Sequence, residues 1–280
     1  MKPFVVLMAC PDQPGIVARI TGVLFDAGCN IVALEQHVED GRLFYMRIVA
    51  DGSLAKVEQP LAQLAKQLGA EITLRDKAIR RRAAILVSSE WACADELLEK
   101  QRIGDLAMDT AVVIGNHPEL RRLEVAHGIR FEYVPTEAKI GGAHEERMKE
   151  ILDAAEVDLV ILARYMKILS PEFVSRYEGR MINIHHGFLP AFKGAHPYRQ
   201  AWERGVKIIG ATAHFVTAGL DEGPIIAQDV TSVTHEHSVA AMVATGRDIE
   251  KRVLAEAVKA YLEDRILLTG ARTIVFRQTD

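Results

Sequence analysis

The rhythm of apolar and polar positions changes near residue 80, and the two rhythms predict two folds. Residues 3–9 (PFVVLMA) are a continuous apolar run of strand length, and 14–27 repeats apolar positions at helical spacing behind Asp12 and Gln13. Strands over 30–38 and 42–50 flank the turn Glu39-Asp40-Gly41. Leu54, Val57, Leu61, Leu64 and Leu68 then mark one face of a helix, and 71–74 reads as a last short strand. The order β-α-β-β-α-β is that of the ferredoxin-like split βαβ unit. A charged stretch, RDKAIRRR over 75–82, has no apolar face and reads as a solvated junction. The boundary falls near residue 80, giving units 1–80 and 83–280.

Beyond 83 the pattern becomes short apolar runs alternating with amphipathic helices. Strands are expected over 83–87, 110–114, 131–134, 159–162 and 181–185, with helices over 94–101, 118–127 and 144–155 between them. Strands spaced by helices imply an α/β domain, a mostly parallel sheet with helices on both faces. Two longer β-like runs (207–216 and 225–233), a helix over 238–263 and a strand pair (266–268, 273–276) complete the chain. Ligands of such sheets bind beyond the carboxyl ends of the strands, which directs attention to Leu162-Ala163-Arg164 and Asn183-Ile184-His185.

Composition narrows the class. With 34 Lys and Arg against 38 Asp and Glu, the formal charge of −4 supplies no field for holding nucleic acid or an anionic membrane. Cys10, Cys29 and Cys93 form no CxxC pair, so neither a disulfide framework nor a thiolate metal site is expected. Lys2 and the run ending Leu7-Met8-Ala9-Cys10 have the look of a lipoprotein leader, but Pro3 interrupts a stretch that is short for an h-region of roughly 7–15 residues. A cytoplasmic protein is the expectation.

Six of the ten histidines fall between 185 and 237, where even scatter would put about two, and histidine is the side chain suited to proton transfer near neutrality. Asn183 and His185, two apart at a strand end, share a face, as do Thr212 and His214 on the next strand. Asp221 sits in Gly219-Leu-Asp-Glu-Gly223, where glycines let a loop carry the carboxylate close to a ligand. An amide to hold an oxyanion, an imidazole to move a proton and a carboxylate to orient it suffice for attack on a carbonyl carbon. Taken singly, His185 reads equally well as a satisfied core histidine and Asn183 as a strand-end cap. A metal site is the alternative, from His235-x-His237 and from His185-His186 beside Asp221 and Asp229, although no HExxH motif accompanies them.

At these residues the chain resembles a known family. Residues 161–169 (ILARYMKIL), 181–190 (MINIHHGFLP) and 219–226 (GLDEGPII) are similar to the segments that define the folate-dependent formyltransferases. The first unit, with Cys10-Pro-Asp-Gln-Pro-Gly-Ile-Val17 and Gly28-Cys-Asn-Ile31, resembles an ACT domain. An ACT domain followed by a formyltransferase-type, Rossmann-like domain is the arrangement of the formyltetrahydrofolate deformylases. That similarity extends through Gly246-Arg-Asp-Ile-Glu250 and Arg272-Thr-Ile-Val-Phe276.

The resemblance implies hydrolysis of 10-formyltetrahydrofolate to formate and tetrahydrofolate, with Asn183, His185 and Asp221 catalytic and no metal or other cofactor. It implies substrate contacts from Tyr165, Lys167, Leu169, His214 and Leu220. Tyr165 and Leu169 also share a helical spacing that would make them simple core. Asp12, Gly15 and Asn30 become effector candidates, for an amino acid such as glycine or methionine, in a homodimer or homotetramer. The first turn of the second unit, Val87-Ser-Ser-Glu-Trp-Ala-Cys93, lacks the glycine-rich phosphate cradle a ribonucleotide acceptor needs, which leaves water as the acceptor. The chain departs from the family at Gly187, where the deformylases carry Ser, and at Ala92, where they usually carry His. Transfer to another amine, or folate and amino-acid sensing without turnover, are the competing functions.

Overall fold

The computed structural model describes residues 2–39, 41–136, 140–191 and 197–277, so Asp40 of the expected turn and His196 lie outside it. Two compact units are resolved by their internal contacts: residues up to Arg80 together with Glu263–Leu267 and the chain from Ile274, and Arg81–Leu262 together with Leu268–Thr273.

The first unit follows the expected order: β1 (Lys2–Pro11), α1 (Ile16–Asp26), β2 (Asn30–Glu39), β3 (Leu43–Gly52), α2 (Leu54–Leu68) and β4 (Glu71–Asp76). The sheet order is β2-β3-β1-β4, every pair antiparallel. Because side chains alternate along a strand, β1 serves two cores. Phe4, Val6 and Met8 pack with Met46 and Ile48 against Ile20 and Leu24 of α1 and Leu61 and Leu64 of α2, while Val5 and Leu7 pack with Val49 on the other face. Half of the expected junction is strand: β4 takes in Arg75 and Asp76 and the next strand begins with Arg81 and Arg82, leaving the turn 77–80 between them.

The second unit contains β5 (Arg81–Val87), α3 (Ala92–Arg102), β6 (Met108–Gly115), a 3-10 turn (Pro118–Arg121), α4 (Arg122–His127), β7 (Phe131–Tyr133), α5 (Ala143–Ala154) and β8 (Leu159–Leu162). There follow α6 (Pro171–Arg176), β9 (Met181–His185), α7 (Pro197–Glu203), β10 (Ile208–Phe215), β11 (Ile225–Ser232) and α8 (Val239–Leu262), then the pair β12 (Ile266–Thr269) and β13 (Arg272–Val275). The seven-stranded sheet has the order β11-β10-β9-β8-β5-β6-β7. Strands β5 to β9 are parallel to one another, whereas β10 and β11 add antiparallel at the edge. Parallel strands covered on both faces read as unbroken apolar runs, and β5 and β8 accordingly bury Ala83 to Val87 and Leu159 to Leu162. Among the described residues no helix is long and apolar enough to cross a membrane.

Candidate active site

The reversal of chain direction between β9 and β10 sets the site. Antiparallel register places Asn183 opposite His214 and His185 opposite Thr212, so residues from two strands share one face at one sheet end. Each then takes a distinct part. The Thr212 hydroxyl donates to the Gly187 carbonyl (2.9 Å) and accepts from Leu189 N (3.0 Å) and Gln228 Nε2 (2.9 Å), filling its hydrogen-bonding capacity. It holds the segment after β9 and does not line the cavity described below.

His214 Nδ1–H donates to the Phe215 carbonyl at 2.7 Å, which fixes the neutral tautomer and leaves Nε2 as an acceptor. Asn183 Nδ2 lies 3.2 Å from that Nε2, so the amide nitrogen donates to it and the amide orientation is set. Burial pushes the His214 imidazole below its ordinary value, against the opposing pull of the Phe215 carbonyl and Asp221, and this keeps the acceptor form.

Asp221 reaches the same place from the loop after β10, with a left-handed backbone (φ 55°) that costs on the order of 1–3 kcal/mol in a non-glycine residue. Gly223 makes the loop possible: a Cβ there would overlap the Phe215 carbonyl. The glycine therefore serves an approach of backbone to backbone, where the sequence pattern pointed to an approach toward a ligand. The carboxylate lies 3.3 Å from His185 Nδ1 and 3.8 Å from His214 Nε2. The hydrogen bond from His185 lowers the Asp221 pKa, burial opposes it, and the nearby imidazoles add to the lowering. The contact of Nδ1 with the carboxylate orients the His185 ring.

These groups form the polar end of a cavity of about 270 Å³ that opens along the segment after β8. Asn183, His185, His214, Asp221, Tyr165, Lys167, Leu169 and Leu220 all line it. Residues 163–169 form an irregular loop and not the helix that a 165/169 spacing implied. Its course is fixed by Ala163 N donating to the Leu86 carbonyl, by Ser88 N donating to the Arg164 carbonyl and by Met166 N donating to Ser88 Oγ (3.0 Å). Tyr165 and Leu169 combine both readings, since they belong to the buried core and also present surface to the cavity. Met166 and Ile168, which the sequence reading passed over, line the cavity too and are half exposed. Their alternation with Tyr165 and Lys167 is the signal that could have found them.

Other expected groups fall elsewhere. Asp229 pairs with Arg252, and His237 bonds Thr234 in an exposed turn. Among the described residues no three His, Cys, Asp or Glu side chains gather as a metal cage. Glu90, in the turn lacking a phosphate cradle, is paired with Arg247 at 2.9 Å. In the first unit Asp12 and Gly15 stand at one end of the sheet, Gly15 opening α1 with φ 87°. Asn30 begins β2 opposite Asp51, which in turn faces Pro3, so it lies at the far end, on the order of 30 Å away at strand rise. In one chain these three do not converge.

Comparison with known proteins agrees with this division. Residues 81–258 match the formyl transferase family model and 4–67 the ACT domain model. The chain is 44% identical over 277 residues to formyltetrahydrofolate deformylase of Bacillus subtilis, covering 96% of this chain and 92% of that protein. It is 46% identical over 270 residues to the Escherichia coli protein of that name, covering 95% of each. A crystal structure of formyltetrahydrofolate deformylase from Burkholderia mallei superposes with a TM-score of 0.93 at 40% identity, over 99% of this chain and 100% of that one. Glycinamide ribonucleotide transformylase 1 of Symbiobacterium toebii, at 32% identity and a TM-score of 0.67, covers 71% of this chain and 95% of its own. Agreement along the whole length, ACT domain included, places the chain in the formyltetrahydrofolate deformylase family.

Proposed function

We infer that the cavity at the end of β9 hydrolyses 10-formyltetrahydrofolate, with Asn183, His185 and Asp221 as its catalytic groups. The observation that carries the residue assignment is the His185–Asp221 pair, 3.3 Å apart at the polar end of a cavity whose other walls are largely apolar. Flat apolar surface from Tyr165, Leu169 and Leu220 suits a pterin ring, and Lys167 suits the anionic tail of a folate.

Water held beside the Asp221–His185 pair attacks the formyl carbon. Its oxygen forms the new C–O bond while a proton passes to the carboxylate–imidazole pair. The charge that develops on the formyl oxygen is met by the second N–H of the Asn183 amide, the first being engaged with His214. The C–N10 bond then breaks as N10 takes that proton back from the pair, and the formic acid so formed loses the second water proton to solvent and leaves as formate. The reading requires no cofactor, because the carbon arrives on the folate and the oxygen comes from water.

Formate release from 10-formyltetrahydrofolate by purified protein, without added amine and with chelator present, is the expected result. Turnover only when an amine is supplied would make the protein a transferase, and no release under either condition would make it a binding protein. For the ACT domain, the fold supports response to an amino acid at the Asp12–Gly15 end of the sheet, with glycine and methionine the first to try by calorimetry. Absence of heat with any amino acid would leave that domain an assembly module.

A further inference from the structure

A second cavity of about 470 Å³ adjoins the first, and Arg164 and His186 belong to the walls of both. His186 follows the catalytic-site histidine directly, the two rings lying 5.3 Å apart. The far wall is built on α8. Gly246 has no side chain to obstruct Tyr198, whose ring would overlap any Cβ there, and Tyr198 thereby reaches Glu250 with a 2.6 Å hydrogen bond. Glu250, 2% exposed, also lies 3.4 Å from Arg164 Nε. Burial pushes the Glu250 carboxyl up, while Arg164 and Tyr198 oppose that rise.

The charges around this cavity do not cancel. Arg164, Arg199 and Arg247 face Glu90 and Glu250, and each carboxylate already has its cation: Arg247 for Glu90 and Arg164 for Glu250. Arg199 is exposed and has no partner among the described residues, and the buried Nη1 of Arg164 has no acceptor among them. Arg164 is also held at φ 62°, a backbone conformation the fold maintains at the junction of the two cavities. A cavity with excess guanidinium, joined to the reacting centre, calls for a small anion.

We propose that the second cavity is a carboxylate site that receives formate from the reaction, with Arg164 as the group that draws it across from His185. This rests on the hydrolysis reading, in which formate is the one new anion and forms while tetrahydrofolate still fills the first cavity. Formate then leaves by the arginine-lined side, independently of the folate.

The test is saturation-transfer NMR with ¹³C-formate and the full chain, which needs no turnover. A saturable signal is expected that persists when tetrahydrofolate is present and that weakens at least tenfold in Arg164→Gln. Val243→Trp, which puts a bulky side chain on the α8 wall of the second cavity, is expected to abolish the formate signal while tetrahydrofolate binding is retained. Displacement of formate by tetrahydrofolate, an unchanged signal in Val243→Trp or no signal in the parent protein would each overturn the proposal. So would stronger competition by inorganic phosphate than by unlabelled formate, since the cavity would then be a phosphate site. Formate binding in a protein that fails to hydrolyse 10-formyltetrahydrofolate would refute the hydrolysis reading and the origin of the anion, whereas hydrolysis without formate binding would refute this site alone.

Discussion

The two sheets each bury charged or polar side chains, and they spend them differently. In the four-stranded sheet Arg47 is 3% exposed and each of its three guanidinium nitrogens is engaged: Nε donates to the Asp264 carbonyl, Nη2 to the Glu263 carbonyl and Nη1 to Glu35, all near 3.0 Å. Every partner is protein, so the interaction closes on itself and fastens the segment around 263–264 to β3. At one end of the seven-stranded sheet His185 and His214 are buried to the same degree and Asn183 and the loop residue Asp221 partly so, yet all four bound a cavity. Burial of a polar group thus does not by itself mark function; a polar network open to a shaped space does.

Mutation should separate the two cases, catalysis falling in one sheet and stability in the other. The largest effect is expected from Asp221→Asn, which removes the base while preserving shape: turnover should fall about 10²–10⁴-fold, the range for general base catalysis, with the thermal midpoint nearly unchanged. Asn183→Ala should cost roughly 10²–10³-fold in kcat, the usual loss for one oxyanion donor, with a small change in KM. A variant that turns over normally would remove the amide from the chemistry.

Arg47→Met inverts the pattern. It strands two carbonyls and the Glu35 carboxylate, and urea titration should show a loss of about 3 kcal/mol, the low end for breaking a buried pair because Glu35 is partly exposed. Its kcat/KM, measured well below the melting transition, should match that of the parent protein. An activity loss comparable to that of Asn183→Ala would mean that the two sheets are not independent in the way the comparison assumes.

The smallest effect is on pH. Protonating His214 would turn its Nε2 from acceptor to donor and set it against the Asn183 N–H, but burial holds its pKa below 6.5. The His214 imidazole, followed by NMR, should therefore titrate below 6.5, and titration at or above 6.5 would contradict the neutral-tautomer reading. Stability has the same sign: as pH falls below 6.5 the unfolded chain takes up this proton first, so His214 contributes a loss of stability until its folded pKa is reached.

Periodicity made the first unit legible, because each of its elements is long enough to repeat its pattern. Helices α6 and α7, of six and seven residues, escaped it, since fewer than two turns leave no period to detect. Nor did sequence reveal that β10 and β11 run antiparallel: a buried edge strand and a parallel one can carry the same apolar run. The amide, imidazole and carboxylate of the first cavity were readable from two-residue spacing at one strand end and a glycine-flanked loop. The Arg164–Glu250–Tyr198 network was not, because its members lie 52 or more positions from Glu250 and no local pattern links them. Its traces were separate: Arg164 at the carboxyl end of a strand, and a glutamate within the apolar stripe of α8 four places after a glycine.

Gly246 also carries a warning for engineering. Replacing a mid-helix glycine by alanine ordinarily strengthens a helix by roughly 0.5–1 kcal/mol, which makes this position of α8 an obvious choice for raising heat resistance. The added methyl would occupy the space of the Tyr198 hydroxyl and force the phenol off Glu250. The usual thermostabilising substitution would then leave a buried carboxylate short of a donor, and automated consensus or propensity-based design should hold this residue fixed.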